Sequence, residues 1–396
     1  MKIFPDWFFN QSDWQEKTLG EVCEIQDGTH GSFKRTDEGY YLLSAKNVGD
    51  GNLIISDDES KISYEDYKKI ISNGFPAIGD ILISCVGVIG RCCILKEKNL
   101  AFQRSVSFIR AKKICTEFLL YVIQSHFVQK QLQLMTNKSV QGGIYLNSLR
   151  KVKIKIPPLA EQKKIAEYFT HLDNAINAQE TKLQSWRDVK KAMLQKIFSQ
   201  QYFFTQDNGD KFPAWQEKTL GENFCVRMCK RIYKNETSKF GDIPFYKIGT
   251  LGKIADSFIS KNLYEDYRKK YNFPEIGDTL ISCSGTVGNC VIYDGKPAYF
   301  QDSNIVWLEQ KTDLKIDKKY LYFFLSQIKW TNLSASTIAR IYSDDLLKKY
   351  LKIPCLEEQK KIAEYFSSLD RIIDAENKML ENLRLMKKGL LQKLFV

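Results

Sequence analysis

The chain contains the same unit twice, and this duplication constrains the fold more than any other feature. Residues 14–21 return letter for letter as residues 215–222, and residues 161–169 return as residues 358–366. The copies lie about two hundred residues apart, which is half of the 396-residue chain. Solenoid repeats have periods of roughly 20–50 residues. The pattern therefore predicts a duplicated pair of domains, and it favours a target that also has two parts.

The chain is basic, and both halves share the excess of positive charge. Residues 1–200 carry 28 basic and 22 acidic side chains, and residues 201–396 carry 31 and 25, so each half contributes +6 to the net charge of +12. The charge therefore belongs to the repeated unit rather than to a terminal tail. A basic globular protein favours a polyanionic partner, nucleic acid first among them. A charge that serves solubility alone is the alternative.

The sequence lacks the motifs that usually carry catalysis or bind a nucleotide. There is no G-x-x-x-x-G-K-[ST] loop and no G-x-G-x-x-G turn after a strand. Residues 156–159, Ile-Pro-Pro-Leu, lack the Asn or Asp and the aromatic residue that an amino-methyltransferase needs to hold a flipped base. Gly87-x-x-Gly90 and Gly285-x-x-Gly288 are predicted to form tight turns rather than phosphate-binding loops. We therefore expect no catalytic residue and a protein that is not an enzyme.

The ten cysteines are predicted to be reduced and mostly buried thiols. No C-x-x-C pair occurs, and no histidine lies near Cys225 and Cys229 to complete a zinc site, so no metal is expected. The sequence shows no signal peptide and no apolar stretch of about eighteen residues. These features predict a cytoplasmic protein that does not bind a membrane.

Each half is predicted to contain a mixed domain followed by one long helix. Short apolar or alternating runs, separated by glycines, indicate strands in the first part of each half. Prolines then precede a stretch that is almost free of helix breakers, as suits the start of a helix. The predicted fold class is α+β, with two similar mixed α/β domains. The predicted boundaries are 1–156 and 200–353 for the domains and 157–199 and 354–396 for the helices.

Apolar residues recur in both helices at alternating steps of three and four, which is typical of a coiled coil over about five heptads. Polar residues interrupt the two seams at matching places, Gln179 with Glu376 and Lys190 with Lys387. We expect an antiparallel coiled coil with pseudo-twofold symmetry, in which Glu376 could approach Lys190. Packing of each helix on its own domain is the alternative. The apolar seam residues are Ile165, Phe169, Leu172, Ile176, Leu183, Trp186, Met193 and Ile197 in the first helix and Ile362, Phe366, Leu369, Ile373, Leu380, Leu383, Leu390 and Leu394 in the second.

These segments resemble the specificity (S) subunit of type I restriction-modification systems over essentially the whole chain. The resemblance rests on residues 14–21, 79–82 and 157–166 and on their copies in the second half. The last of these, Pro-Pro-Leu-Ala-Glu-Gln-Lys-Lys-Ile-Ala, occurs twice ahead of a heptad helix and is highly specific. Its copy at 354–363 departs only slightly, with Cys355 in place of the second proline and Glu357 in place of Ala160.

The resemblance implies that each mixed domain is a target recognition domain, which reads one half of a split site in double-stranded DNA. It implies that the coiled coil sets the distance between the half-sites and docks two methyltransferase (M) subunits, and that restriction (R) subunits complete a host-defence complex. S-adenosylmethionine, ATP and Mg would then bind the partner subunits, so this chain is expected to bind no cofactor. A coiled-coil adaptor without DNA specificity, and an S subunit of a modification-only system, are the alternatives.

Charge and loop chemistry indicate which residues contact DNA. Residues 91–155 carry 13 basic and two acidic side chains, against 8 and 15 in residues 1–90, so the later stretch is predicted to contact phosphates. Polar loops are suited to base edges. Arg104 is replaced by Asp302 at the equivalent place, which predicts different half-sites. The candidates are His30, Ser32, Lys34, Arg35, Lys46, Asn47, Arg91, Gln103, Arg104, Lys138 and Arg150 in the first domain and Lys230, Arg231, Lys247, Thr250, Gln301, Asn304, Arg340 and Tyr342 in the second.

Overall fold

A computed structural model describes residues 13–136, 142–330 and 340–395, so the candidate Lys138 lies outside the described residues. The chain divides into two compact units. Unit 1 contains the chain up to Thr181 together with the residues from Asn377 onward, and unit 2 contains Lys182–Glu376. Each unit therefore contains one mixed domain and parts of both long helices.

In its described residues, the domain of unit 1 contains three small sheets and five short α-helices. Strands β2, β8, β5 and β6 form an antiparallel sheet in that order, β4, β3 and β7 form a second sheet, and β1 pairs with β9. The strands are β1 (Gln15–Thr18), β2 (Cys23–Asp27), β3 (Tyr40–Leu43), β4 (Lys61–Ile62), β5 (Ile81–Ser84), β6 (Cys92–Ile94), β7 (Leu100–Phe102), β8 (Val106–Ala111) and β9 (Lys153–Ile156). The helices are α1 (Leu19–Val22), α2 (Tyr64–Ile70), α3 (Thr116–Gln124), α4 (His126–Thr136) and α5 (Leu146–Arg150), and α6 (Leu159–Phe198) is the first long helix.

The domain of unit 2 repeats this topology. Strands β11, β17, β14 and β15 form the four-stranded sheet, β13, β12 and β16 form the second, and β10 pairs with β18. The strands are β10 (Gln216–Thr219), β11 (Phe224–Arg227), β12 (Ile243–Tyr246), β13 (Phe258–Ile259), β14 (Thr279–Ser282), β15 (Cys290–Ile292), β16 (Tyr299–Phe300), β17 (Ile305–Gln310) and β18 (Tyr350–Ile353). The helices are α7 (Leu220–Asn223), α8 (Lys261–Lys270), α9 (Lys318–Gln327) and α10 (Ser343–Leu347), and α11 (Leu356–Leu394) is the second long helix.

Burial follows the apolar pattern of the strands. The central strands β5 and β14 are buried at every position, as strands covered on both faces should be. All ten cysteines are free of disulfides, and six of them are buried, which confirms the prediction of mostly buried thiols. Burial raises the pKa of the Cys23 thiol to about 12, so this thiol stays protonated and unreactive near neutral pH.

The identical tryptophans that open the two copies anchor each domain to its long helix. Trp14 Nε1 donates to Glu161 Oε1 at 3.1 Å in unit 1, and Trp215 Nε1 donates to Glu358 Oε2 at 2.8 Å in unit 2. Both acceptors belong to the first turn of a long helix, where the helix dipole favours a negative charge. This contact gives a physical reason for the repetition of both segments.

Replacing Glu358 by glutamine is expected to make the stability of unit 2 less dependent on pH. Glu358 is only 2% exposed, and burial raises its pKa above the ordinary value of about 4.5, against the opposing effect of the Trp215 hydrogen bond. Because the folded-state pKa is the higher one, the stability that this group contributes is present below pH 4.5 and is lost as the pH rises through the raised value.

The amide oxygen of glutamine can still accept from Trp215, whereas the cost of burying a charge disappears. Thermal unfolding across this pH range should therefore show Glu358→Gln melting above the wild type at about pH 8 and level with it at about pH 4. Glu161→Gln removes the same kind of carboxylate at a half-buried position and is the matched control. A constant difference between Glu358→Gln and wild type at all pH values would contradict the explanation.

The two long helices pack against each other antiparallel within each unit. In unit 2, Lys182 pairs with Glu376 at 2.7 Å and Lys190 pairs with Asp370. Residue numbers increase along the first helix while those of the partners on the second helix decrease, so the two helices run antiparallel. In unit 1, Asp173 and Lys387 form the corresponding pair at 2.6 Å. The predicted antiparallel coiled coil is confirmed, and every predicted apolar seam residue is buried or half-buried. The expected approach of Glu376 to Lys190 is wrong, because each of them has a different partner on the facing helix.

Candidate nucleic-acid interface

Several loops of unit 1 meet where its strands end. Strands β2 and β5 end on the side where β8 begins, because β8 runs antiparallel to both of its neighbours, and β7 ends there too because residues 103–105 lead directly from it into β8. Thr29 N donates to Phe102 O at 2.8 Å, and Arg104 N donates to Thr29 O at 2.9 Å. A Cβ at Gly28 would lie 2.3 Å from the carbonyl oxygens of Phe102 and Gln103, so glycine permits this close approach. The loop after β2 and the turn before β8 are thus held together.

Further backbone contacts add three more segments to the same place. Ala45 N donates to the Ser105 hydroxyl at 3.0 Å, Cys85 N donates to Ser105 O at 2.8 Å, and Ile144 N donates to Cys85 O at 2.9 Å. We call this set the unit 1 loop edge. It consists of residues 27–35, 44–48, 85–91, 103–105 and 142–145.

Most of the predicted contacts in the first domain lie on the unit 1 loop edge. Gln103 and Arg104 are exposed on the turn before β8, next to the loop that carries His30. His30 is exposed and contacts Asp27, Nε2 to Oδ2, at 2.9 Å, which orients its ring. Arg91 is half-buried. Three further candidates are exposed in the loop after β2: Ser32, Lys34 and Arg35.

The candidate Asn47 is only 2% exposed, and its amide is hydrogen-bonded within the fold. Its Oδ1 accepts from Ser44 N at 2.9 Å, and its Nδ2 donates to Ile54 O at 2.9 Å and to Glu59 at 2.6 Å. The neighbouring Lys46 is exposed but pairs with the buried Glu59 at 3.0 Å. Asn47 therefore stabilises the turn that presents Lys46.

The candidate Arg150 is exposed at the end of α5, outside the residues of the unit 1 loop edge. Its guanidinium donates to Ile25 O, in the middle of β2, at 3.1 Å and to Asn147 Oδ1 at 3.2 Å. Its Cβ lies 3.1 Å from the place where a Cβ on Gly20 would stand. Arg150 therefore fastens α5 to α1 and β2.

The repeated Gly-x-x-Gly segments form tight turns, as predicted. Gly87 and Gly90 have φ values of +74° and +87°, and Gly285 and Gly288 have values of +69° and +79°. The Ser84 hydroxyl donates to the carbonyl of residue 88 at 2.6 Å and accepts from the amide of residue 91 at 3.0 Å. These internal bonds occupy polar groups that a phosphate-binding loop would direct at its ligand.

The equivalent loops of unit 2 form a second loop edge, which consists of residues 229–231, 247–251, 284–288, 301–304 and 340–342. The Gln301 carboxamide accepts from Ile248 N at 3.3 Å, and Gln301 N donates to Tyr246 O at 2.9 Å. Arg340 donates to Ser303 O at 3.3 Å. The predicted contacts of the second domain therefore lie together on this unit 2 loop edge.

Several side chains of the unit 2 loop edge are already paired within the domain. Arg231 Nε donates to Asp302 Oδ2 at 2.7 Å, and Lys247 pairs with Asp256 at 2.8 Å. The Lys230 ammonium lies 5.2 Å from the centre of the Tyr271 ring. The candidates Thr250 and Asn304 are half-buried: the hydroxyl of Thr250 accepts from Lys247 N at 3.0 Å, and the amide oxygen of Asn304 accepts from the Ser284 hydroxyl at 2.8 Å.

Arg340 and Tyr342 complete the unit 2 loop edge. The Arg340 guanidinium lies 5.7 Å from the Tyr342 ring centre, and Tyr342 is 52% exposed. An exposed aromatic ring beside an arginine is suited to stacking on a base or a sugar. Arg340 Nε is buried and has no hydrogen-bond partner among the described residues.

A basic groove in unit 2 was missed by the sequence analysis. Its volume is about 1100 Å³, and it is lined by the second half of α6, the end of α9, β18 and part of α11. Its floor is apolar, with Phe198 and Phe324, and Asp370 is its acidic residue. The basic lining residues are Arg187, Lys190, Lys191, Lys329, Lys349 and Lys352. The lysines around β18 could have indicated this groove, because β18 lies beside the part of the α6 seam that carries Lys190.

The described ranges contain neither a cluster of metal-ligating side chains nor a helix that is long and apolar enough to cross a membrane. No three His, Cys, Asp or Glu residues of the described chain converge as metal ligands would. The long helices α6 and α11 carry too many charged side chains to span a bilayer.

Comparison with known proteins assigns the chain to a family. The family model of the type I restriction modification DNA specificity domain matches residues 11–185 and again residues 214–385. A putative type I restriction enzyme specificity subunit of Haemophilus influenzae is 42% identical over 237 residues, which cover 60% of this chain and 60% of that relative's length. The putative MjaX specificity subunit of Methanocaldococcus jannaschii is 26% identical over 402 residues, covering 96% of this chain and 92% of that protein.

Solved structures share the fold. The S subunit of a type I restriction-modification system from M. genitalium superposes with a TM-score of 0.58 at 16% identity, over 100% of this chain and 98% of that one. A chain from a structural study of the assembly and conformational transition of the type I R-M system superposes with a TM-score of 0.59 at 17% identity, over 96% and 97% of the two chains. Since the family model matches well over half of the residues, this protein belongs to the type I restriction modification DNA specificity family.

Proposed function

We propose that this chain is the DNA sequence-recognition subunit of a type I restriction-modification complex. Each domain reads one half of a split site in double-stranded DNA through its own loop edge. The observation that carries the proposal is that two domains of the same topology present the same loops with different side chains. Exposed Gln103 and Arg104 precede β8, whereas Gln301 and an Arg231–Asp302 ion pair occupy the same place before β17.

The proposal assigns chemistry to the partners and recognition to this chain. Two methyltransferase subunits dock on the coiled coil, and restriction subunits join them in the full complex. S-adenosylmethionine, ATP and Mg bind those subunits, and this chain is a non-catalytic component that acts in the cytoplasm. The family match supports this division.

Mapping of methylated bases in the genome of cells that carry this chain and its methyltransferase partner is the direct test. The expected result is methylation in a motif with two defined halves and an unread gap. Loss of the chain should abolish methylation at that motif, while a chain with its first domain exchanged should alter one half only. Methylation without a split motif would refute the proposal.

A second candidate function is a coiled-coil adaptor that binds a partner protein without DNA specificity. The basic groove of unit 2 favours it, because an apolar floor with six basic side chains suits an acidic amphipathic helix. If the complex of this chain with its methyltransferase partner binds all DNA sequences equally well, that result would support this second candidate. A modification-only system is a variant of the first proposal in which no restriction subunit is encoded.

A further inference from the structure

Arg231 of the unit 2 loop edge is held by a carboxylate through only one of its nitrogens. Arg231 Nε donates to Asp302 Oδ2 at 2.7 Å. The side chain of Asp302 is 17% exposed, whereas that of Arg231 is 59% exposed. Neither terminal nitrogen of Arg231 has a hydrogen-bond partner among the described residues. The carboxylate therefore fixes the inner end of the guanidinium, and the outer pair of amino groups remains exposed at the loop edge.

Asp302 is itself held in place by the backbone on both sides. It belongs to the turn before β17, and Gln301, the residue before it, donates through its amide to Tyr246 O at 2.9 Å, at the end of β12. The amide of Ile305, at the start of β17, donates to Gln301 O at 3.1 Å. The backbone next to Asp302 is thus tied to the two larger sheets of the domain, so its carboxylate can restrict the rotamers of a long arginine side chain.

We propose that Arg231, aligned by Asp302, reads a guanine in the half-site that unit 2 recognises. This inference rests on the proposed function. A guanidinium has five N–H donors in a fixed plane, and the common specific contact of arginine in the major groove is a pair of hydrogen bonds to O6 and N7 of guanine. With Nε occupied, the two terminal nitrogens form the fork that such a contact requires.

The charge of the pair argues against a simple phosphate contact. A phosphate is attracted mainly by net positive charge, and Asp302 cancels the charge of Arg231. A carboxylate that close to DNA also repels the phosphates. This loss of electrostatic attraction is tolerable only where the direction of the arginine hydrogen bonds matters more than the arginine charge. A base edge is such a place.

The first domain provides an internal comparison. At the equivalent turn, Arg104 is exposed and stands where unit 2 has Asp302. At the place of Arg231, the first domain has His30, which contacts Asp27 on its own loop at 2.9 Å. The aligned arginine is therefore a feature of unit 2, and the inference concerns the half-site of unit 2 alone.

The test uses the full chain in complex with its methyltransferase partner and the split DNA target found by methylation mapping. Each G–C pair of the unit 2 half-site is replaced in turn, and affinity is measured for wild type and for Arg231→Ala. Wild type should lose about 5- to 150-fold at one G–C pair, the discrimination that a bidentate base contact provides. Arg231→Ala should bind the native target more weakly by a similar factor and should no longer discriminate at that pair.

Asp302→Asn separates base reading from charge, because the two explanations predict opposite signs. If Arg231 only neutralised phosphates, removal of the acid would tighten binding to every DNA sequence and would steepen the log–log salt dependence by about 0.9. If Asp302 aligns a base-reading arginine, Asp302→Asn weakens binding to the native target and reduces discrimination at the same G–C pair. Tighter binding with unchanged discrimination would overturn the inference.

Arg227→Ala is the matched control. Arg227 donates through Nε to Glu309 at 2.7 Å, in the same geometry, but Glu309 lies along β17 away from the loop edge. Its replacement should leave discrimination at every position unchanged. If the complex recognises the split target but Arg231→Ala keeps full discrimination, the inference fails and the proposed function stands. If wild type recognises no split target, the proposed function itself fails.

Discussion

Deletion of residues 177–183 together with residues 377–383 is expected to shorten the unread gap of the DNA site by about three base pairs. This change removes one heptad from each long helix, so both seams continue in their pattern of threes and fours. Seven helical residues span roughly 10.5 Å at 1.5 Å per residue, and one base pair spans about 3.4 Å of duplex. Methylation mapping with the shortened chain measures the new gap directly.

Two outcomes decide whether the helices set the spacing. Three base pairs also turn the duplex by roughly a hundred degrees at 10–10.5 base pairs per turn, so we expect methylation of the shortened site to be slower than that of the native one. A gap of unchanged length would show that the helices are not the ruler. Deletion of residues 177–183 alone is the control. It leaves the facing heptad of the second helix without a partner, and it should abolish methylation both at the native site and at the shortened site.

The sequence was sufficient to predict the long helices, because a coiled-coil seam is a one-dimensional pattern. Residues such as Phe169 and Phe366 are fully buried at the positions that the heptads assign to them. The ionic partners were not predictable in the same way. Which charge meets Lys190 depends on the axial offset of the two helices, and docking of the domains contributes to that offset. Glu376 was a reasonable partner by seam position, but it lies closer to Lys182.

The loop edges were predictable as regions but not residue by residue. Basic and polar loops lie at the strand ends that the structure brings together, and Gln103 and Arg104 are exposed there. Composition alone does not tell a side chain that contacts a ligand from one that caps a turn. Asn47 has the chemistry of a base-reading residue, yet backbone groups and a buried glutamate occupy its amide. The partners of Asn47 are only three to twelve residues away in the chain, but the amide meets them only because the turn folds back on itself, and residue types alone do not show that.

Lys190 and Asp370 are expected to fix the register of the helices in unit 2. Both side chains are partly buried, at 20% and 35% exposed, and the Lys190 ammonium also lies 5.3 Å from the centre of the Phe323 ring. An apolar seam alone tolerates a slip by one heptad, whereas a polar pair within it specifies one register. A slip of seven residues would place Ala363 opposite Lys190 and would leave Asp370 without its partner.

Reversal of one charge in this pair should therefore destabilise unit 2 strongly. Asp370→Lys places two ammonium groups together in the seam, and we expect a loss of about 3 kcal/mol, at the low end for breaking a buried pair because Asp370 retains some solvent contact. The double variant Lys190→Asp/Asp370→Lys restores opposite charges and should recover most of the loss. Denaturant unfolding of the full chain measures both. Lys191→Asp changes an exposed neighbour and should stay within about 0.5 kcal/mol of wild type. If Asp370→Lys is no less stable than this control, or if the double variant recovers nothing, the pair does not set the register.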